Sequence, residues 1–242
     1  MGAGPAIAEV GVAIRNIEKL PNQIALLFAG ALRLIREIDE NGIKDPFWTF
    51  GGGTVLMLRH GHRKSKDVDI FVPDAQYLGY VNPARSAVAE SISRDYFESA
   101  GHVKLVLAGG EIDFVAAPNL TVQPFELWDI AGIPVRVETA AEIVAKKMFH
   151  RGDKATARDL FDLAMVAELA PEQIAIAAPH MARHAAAFIE QVTTRRRVLE
   201  TQFNAIDVIG YSRSYDQCLE IAFRALGQFP RQSKAPNSRL KI

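Results

Sequence analysis

Three consecutive glycines, Gly51 to Gly53, run into Thr54, and after twelve intervening residues come two aspartates, Asp67 and Asp69, alternating with Val68 and Ile70. In an extended chain successive side chains point to opposite faces. The two carboxylates therefore share one face, roughly 7 Å apart, while Val68 and Ile70 take the other. Two carboxylates on a rigid strand suit a hard divalent cation, because Mg2+ takes oxygen ligands and usually keeps one or two carboxylates together with substrate phosphates. Asp113 lies between Ile112 and Phe114 and is a third acid in the same setting. Three carboxylates on neighbouring strands could hold two metals roughly 3.5–4 Å apart, the clamp used for in-line displacement at phosphorus.

The glycines supply the complementary half. Glycine lets the backbone approach a phosphate, and a short helix predicted over 55–59 would present free N–H groups and a partial positive charge at its start. Gly52 and Gly53 are the candidate cradle, and Thr54 either caps the helix or donates to a phosphate oxygen. The basic loop that follows offers Arg63 and Lys66 as candidate phosphate contacts. His60 and His62 have no cysteine beside them, which argues against zinc. A glycine turn alone is usually only a turn, and an Asp-x-Asp alone is usually a solvated face. The combination, with a further acid-bearing strand, is harder to dismiss.

The elements that must carry these residues fall into three zones. Apolar residues recur at helical spacing over 21–41 (Ile24, Leu27, Phe28, Ala31, Leu32, Ile35, Ile38), with Gly42 at the stop. Short β-like runs follow at 47–50, 68–72, 103–107, 112–115 and 133–137, separated by Gly- and Pro-containing turns. From Thr139 the chain turns helical. Thr139 with Glu142 reads as a capping box opening a helix to about His150, and Thr156 with Asp159 opens another that ends before Pro171. A long helix over 180–203 and a last one over 212–226 complete the prediction. The tail from Gln228, with Arg231, Lys234, Arg239 and Lys241 and no acid, reads as mobile. The pattern is α+β: residues 1–138 hold N-terminal helices and a mixed sheet with flanking helices, and 139–242 a C-terminal helical lobe with a basic tail.

In that helical lobe Asp159 and Asp162 are three residues apart and share a helix face. Asp162 sits between Phe161 and Leu163, where an unpaired carboxylate is costly, so Lys147 or Arg158 is its expected partner. A structural salt bridge explains Asp162 as well as a functional role does, and Asp159 is also placed to help the cap.

Composition narrows the field. The chain has 242 residues, 49% hydrophobic, with 28 basic residues balancing 28 acidic ones, which excludes a histone-like polycation but leaves room for a local basic surface. Cys218 is the single cysteine, so no internal disulfide and no Cys-rich metal scaffold can form. The longest apolar stretch, Ile24 to Leu32, contains Gly30 and is far short of a membrane span. A cytoplasmic protein without membrane contact is expected.

Taken together, Gly52-Gly53-Thr54 with Gly61-His62-Arg63-x-Ser65-x-Asp67-Val68-Asp69-Ile70-Phe71 resembles the AbiEii family of abortive-infection toxins, within the DNA-polymerase-β-type nucleotidyltransferases. Glu142 to Lys147 and Arg158-Asp159-Leu160-Phe161-Asp162-Leu163 are similar to that family's helical motifs, so the resemblance covers about Phe47 to Val166. It implies a nucleotidyltransferase-like sheet lobe plus a helical lobe, using an NTP with Mg2+ or Mn2+. The acceptor could be RNA such as tRNA, and the partner a cognate antitoxin. By matching positions, Gly52, Gly53 and Thr54 would hold the triphosphate and Asp67 and Asp69 the metals. Asp113 would be the third acid, activating the attacking hydroxyl. Lys147, favoured over Lys146 by its spacing from Glu142, would line the cleft with Asp159 and Asp162. Two other functions fit the same residues: a catalytically silent nucleotide-binding module, and an aminoglycoside-type transferase with a small-molecule acceptor. A metal-dependent nuclease is disfavoured, because RNA hydrolysis has no need of the Gly-Gly-Thr turn.

Overall fold

The computed structural model describes residues 15–227; the basic tail expected from Gln228 lies outside them. The chain forms two compact units. Residues 15–55, Lys66–Pro118 and Phe125–Thr139 make the first, and Leu56–Ser65, Asn119–Pro124 and 140–227 make the second. The mixed α+β composition expected from the pattern is present, with an eight-stranded sheet in the first unit. Among the described residues no helix is long and apolar enough to cross a membrane.

The strands of the first unit are β1 (Arg15–Ile17), β2 (Thr49–Gly51), β3 (Val68–Val72), β4 (Tyr96–Ser99), β5 (His102–Leu107), β6 (Gly110–Ala116), β7 (Phe125–Ile130) and β8 (Ile133–Glu138). They are ordered β1-β7-β8-β2-β3-β6-β5-β4. β3 runs parallel to β6 and antiparallel to β2, and β5 runs antiparallel to both β6 and β4. Alternation decides which face is which. Val68, Ile70 and Val72 of β3 and Ile112 and Phe114 of β6 are buried on one side, whereas Asp69 and Asp113 take the other. The helix α1 (Asn22–Asn41) covers the apolar side with Ile24, Leu27, Phe28, Ala31, Leu34, Ile35 and Ile38. Phe28 meets Phe50 of β2 at 5.1 Å between ring centroids. Burying such a helix face on a sheet is the main driving force of the unit.

Three strands, β1, β4 and β7, the short helix α3 (Ala87–Ile92) and most of the helix at Pro171–Met181 lie beyond what the sequence pattern predicts. β4 is exposed at every position, and β1 is only three residues long, so neither advertises a buried face. The helix α2 (Gly52–His60) starts at Gly52 itself, three residues earlier than expected.

The second unit contains α4 (Ala140–Arg151), α5 (Ala157–Leu169), α6 (Pro171–Met181), α7 (Ala185–Thr194), α8 (Arg196–Asn204) and α9 (Tyr215–Gly227). Thr156 and Asp159 form the predicted reciprocal capping box of α5. The continuous helix expected over 180–203 is instead broken twice. α6 ends at Met181, two residues after Pro179, and α7 gives way to α8 at Arg195. Thr193 and Thr194 just before that second break donate their hydroxyls to the carbonyls of Ile189 and Glu190 at 2.7 Å, a local bonding that competes with a straight helix. The reversal lets Phe161 of α5 sit among Phe203 and Tyr211 at 5.5 and 5.3 Å, and lets Tyr215 donate to the carbonyl of Val192.

Candidate functional site

The acids of the first unit are placed by strand register. Gly51 of β2 is opposite Asp69 of β3, Asp69 is beside Asp113 of β6, and Asp113 is opposite Lys104 of β5. Neighbouring strands lie about 4.8 Å apart, so Asp69 and Asp113 are adjacent on one face, as the alternation predicted. Asp67 stands one residue ahead of β3, and its Oδ1 accepts from the Glu111 N–H at 3.1 Å.

The glycine turn is shaped around these acids. Gly52 has φ +71°, a left-handed conformation that favours glycine, and a Cβ there would overlap the Asp69 carboxylate. A Cβ on Gly51 would overlap Glu138 instead. Gly53 follows at the first turn of α2 and is half-buried. The start of α2 thus lies against Asp69 with no side chain between. Thr54 was expected to cap the helix or reach a phosphate. It is fully buried, and its hydroxyl donates to the carbonyl of Asp67. Its part is to latch the turn to the acidic strand.

On this face one lysine is shared by two acids. Lys104 Nζ lies 3.5 Å from Asp113 Oδ2 and 2.5 Å from Glu111 Oε2. Burial pushes the Asp113 carboxyl up to about 6; Lys104 pulls it down, and the charges of Glu111 and Asp67 add to the rise. Asp113 Oδ1 is buried without a hydrogen-bond partner. A buried lone pair left unmatched costs about 1–3 kcal/mol, and a cation or a donor proton at that position would remove the cost. Among the described residues no trio of carboxylate, imidazole or thiolate groups gathers tightly enough to make an ion site alone. Mg2+ completed by substrate phosphates needs only one or two carboxylates, so Asp69 and Asp113 fit that requirement, with Asp67 beside them. Lys66, expected at the phosphates, is exposed immediately before these acids.

The residues of the helical unit form a separate, buried network. Asp162 Oδ1 accepts from His62 Nε2 at 2.8 Å and Arg63 Nε at 2.7 Å, and its Oδ2 accepts from Arg63 Nη2 at 2.8 Å and from Lys147 Nζ. Burial alone would raise the Asp162 carboxyl, but Lys147, Arg63 and His62 hold it well below the usual range. Asp159 accepts from Thr156 N–H and Oγ1 through Oδ2 at 3.0 and 2.8 Å. Its Oδ1 pairs with Arg151 at 2.6 Å and Lys147 at 3.1 Å. Burial opposes its ionisation too, yet Lys147, Arg151 and the cap bonds bring it down to about 2. Lys146 takes the other side of α4, 3.4 Å from Glu142, so Lys147 is the one that joins Asp159 and Asp162. Glu142 in turn accepts from the N–H groups of Leu120 and Thr121 at 2.9 and 2.8 Å.

Arg63, read from sequence as a phosphate contact, is only 2% exposed and bidentate on Asp162. Its loop is pinned as well: His62 and Gly61 carbonyls accept from Ile209 and Gly210, and Lys64 N–H donates to Asp207. The partner of Arg63 lies 99 residues away, a pairing that no local pattern marks. Lys104 and Glu138 were also missed. Lys104 could have been found from its alternation with Val103 and Leu105, and Glu138 from its alternation with Val135 and Val137.

Against known proteins, the family model described as "Nucleotidyl transferase AbiEii toxin, Type IV TA system" matches residues 33–227. Among solved structures, the nucleotidyltransferase toxin MenT4 of Mycobacterium tuberculosis is similar at 19% identity and a TM-score of 0.48, covering 86% of this chain and 85% of that one. The protein JHP933 of Helicobacter pylori is similar at 16% identity and a TM-score of 0.45, covering 86% and 92%. No curated protein matches the chain.

Proposed function

Because the chain belongs to the AbiEii nucleotidyltransferase toxin family, we propose that it transfers a nucleotide from an NTP to the hydroxyl of an RNA acceptor such as tRNA, and that a cognate antitoxin restrains it. The observation that carries this reading is the register that sets Asp69 and Asp113 side by side, with Gly52 opening a helix against Asp69. The backbone N–H groups at the start of α2 bind the triphosphate as anion ligands. Thr54 keeps them in place by holding the turn to Asp67. Asp67, Asp69 and Asp113 would hold Mg2+ or Mn2+, which when bound supplies positive charge to offset the phosphates.

Asp113 is the group suited to take the proton of the attacking hydroxyl. Its carboxyl, pushed up to about 6, is ionised at neutral pH and still basic enough to accept a proton. The freed oxygen attacks the α-phosphorus, the bond to the β-phosphate oxygen breaks, and pyrophosphate leaves with the electron pair. Rate enhancement then rests on positioning and on charge stabilisation. Asp162 and Asp159, whose lone pairs are already engaged by Arg63, Lys147, Arg151 and Thr156, act as the frame that fixes Lys147.

The test is incorporation of each α-labelled NTP, with Mg2+, into total RNA and into the protein itself. Label in RNA supports the reading and names the base. Label confined to protein contradicts the RNA acceptor, and no label in either pool contradicts RNA-directed transfer.

A further inference from the structure

The line of register that holds the acids continues past them. Lys104 of β5 is opposite Asp113, and Phe97 of β4 is opposite Lys104. Opposite residues share a face, so Phe97 lies on the same face as Asp69 and Asp113. It is two strands from Asp113, roughly 10 Å at the usual spacing. Phe97 is 57% exposed. One ring face is taken by His102, stacked on it at 5.4 Å between centroids and 28° between planes. His102 is fixed in turn by a 2.7 Å hydrogen bond between its Nδ1 and Ser99 Oγ. Burial, and then the charge of Lys104, lower the pKa of the imidazole, so this ring stays neutral at pH 7.

An exposed phenyl ring is ordinarily a liability on an edge strand. Here it is held flat by a second ring and lies in register with the acidic site. We propose that Phe97, backed by His102, is a stacking platform for an unpaired base of the acceptor strand, whose terminal hydroxyl lies at Asp113. This rests on the nucleotidyl-transfer reading and adds to it a docking point for single-stranded nucleic acid. Stacking needs only a π-face, so the platform accepts any base and selects for unpaired ends over duplex. Lys104, between platform and acids, is engaged by Glu111 and Asp113 and acts as the spacer that separates the stacked base from the reacting hydroxyl.

Two readouts on the protein separate this proposal from the reading it rests on. Binding of a fluorescein-labelled, short single-stranded oligoribonucleotide is followed by anisotropy without NTP, and label transfer is followed with NTP. Phe97→Ala, at an exposed position, is expected to weaken RNA binding by about 5- to 150-fold. It should also raise the KM for RNA while leaving the KM for NTP and kcat unchanged, and Phe97→Trp should restore binding. If wild type binds RNA through Phe97 but transfers no label, the platform stands and the transfer reading falls. Wild type failing to bind RNA, or Phe97→Ala binding as wild type does, overturns the platform. A change confined to the KM for NTP overturns it as well, placing the base of the incoming nucleotide there. So does a change confined to association with a protein partner, which would make β4 a protein-docking edge.

Discussion

Asp162→Ala separates a frame from a catalyst. The carboxylate is fully buried and accepts from His62, twice from Arg63, and from Lys147. Removing it takes the bidentate carboxylate from the Arg63 side chain, 3% exposed, and leaves the Lys147 side chain, 14% exposed, with Asp159 at 3.1 Å. Breaking a buried pair from one side costs about 3–5 kcal/mol, because the surviving charge stays buried. For a chain of this size each kcal/mol lowers Tm by about 2–4 °C, so a fall of about 6–20 °C is expected. Thermal melts monitored by circular dichroism, paired with urea unfolding, measure it. A double variant, Asp162→Ala with Arg63→Met, should be less destabilised than the sum of the singles, because the second change removes the stranded charge. The pH dependence has a definite sign. The folded Asp159 and Asp162 carboxyls lie below their unfolded values. Their stabilisation is therefore complete above about pH 4 and is lost as pH falls toward 2. Asp162→Ala should flatten that acid limb. If Asp162→Ala melts within about 2 °C of wild type while nucleotide transfer is abolished, the frame reading is wrong and Asp162 belongs to the chemistry.

Other perturbations test the sheet site. Gly52→Ala places a Cβ on the Asp69 carboxylate and forces a left-handed alanine, costing about 1–3 kcal/mol from strain alone; transfer should fall to background while the melt remains cooperative. Thr54→Val removes the hydroxyl that holds Asp67 and should cost about 1–3 kcal/mol, with urea unfolding as the readout. Transfer rate should fall toward acidic pH as Asp113 gains its proton, and Asp113→Asn should remove that limb along with most activity. Lys104→Met removes the charge that pulls Asp113 down, so a rate profile against pH should move its acid limb upward.

The site was legible where chemistry is local. Asp67, Asp69 and Asp113 could be placed because alternation with Val68, Ile70, Ile112 and Phe114 fixes a strand face, and strand face is a property of a few neighbouring residues. The Thr156–Asp159 cap was legible for the same reason. What remained hidden is pairing at a distance. Nothing near Arg63 in the sequence marks Asp162 as its partner, so a buried ion pair read as a solvent-facing phosphate ligand. Thr54 differs in the same way, since a hydroxyl beside a glycine turn looks free until Asp67 comes back to meet it. The break at Arg195 was missed because helical periodicity continues through it, while the threonine back-bonds before it and the Phe203–Tyr215 contact at 5.4 Å that accompanies it leave no mark in that periodicity. β4 carried no buried face to detect, although its register is what aligns Phe97 with the acids.

The central claim is that the Asp69–Asp113 face performs nucleotidyl transfer. The most direct measurement is pyrophosphate release, counted against α-label gained by the acceptor RNA, for wild type and for Asp69→Asn verified as folded by its melt. One pyrophosphate per incorporated nucleotide in wild type, with both signals absent in Asp69→Asn, is the predicted result. Equal turnover by the two proteins, or label incorporated without pyrophosphate, would contradict it.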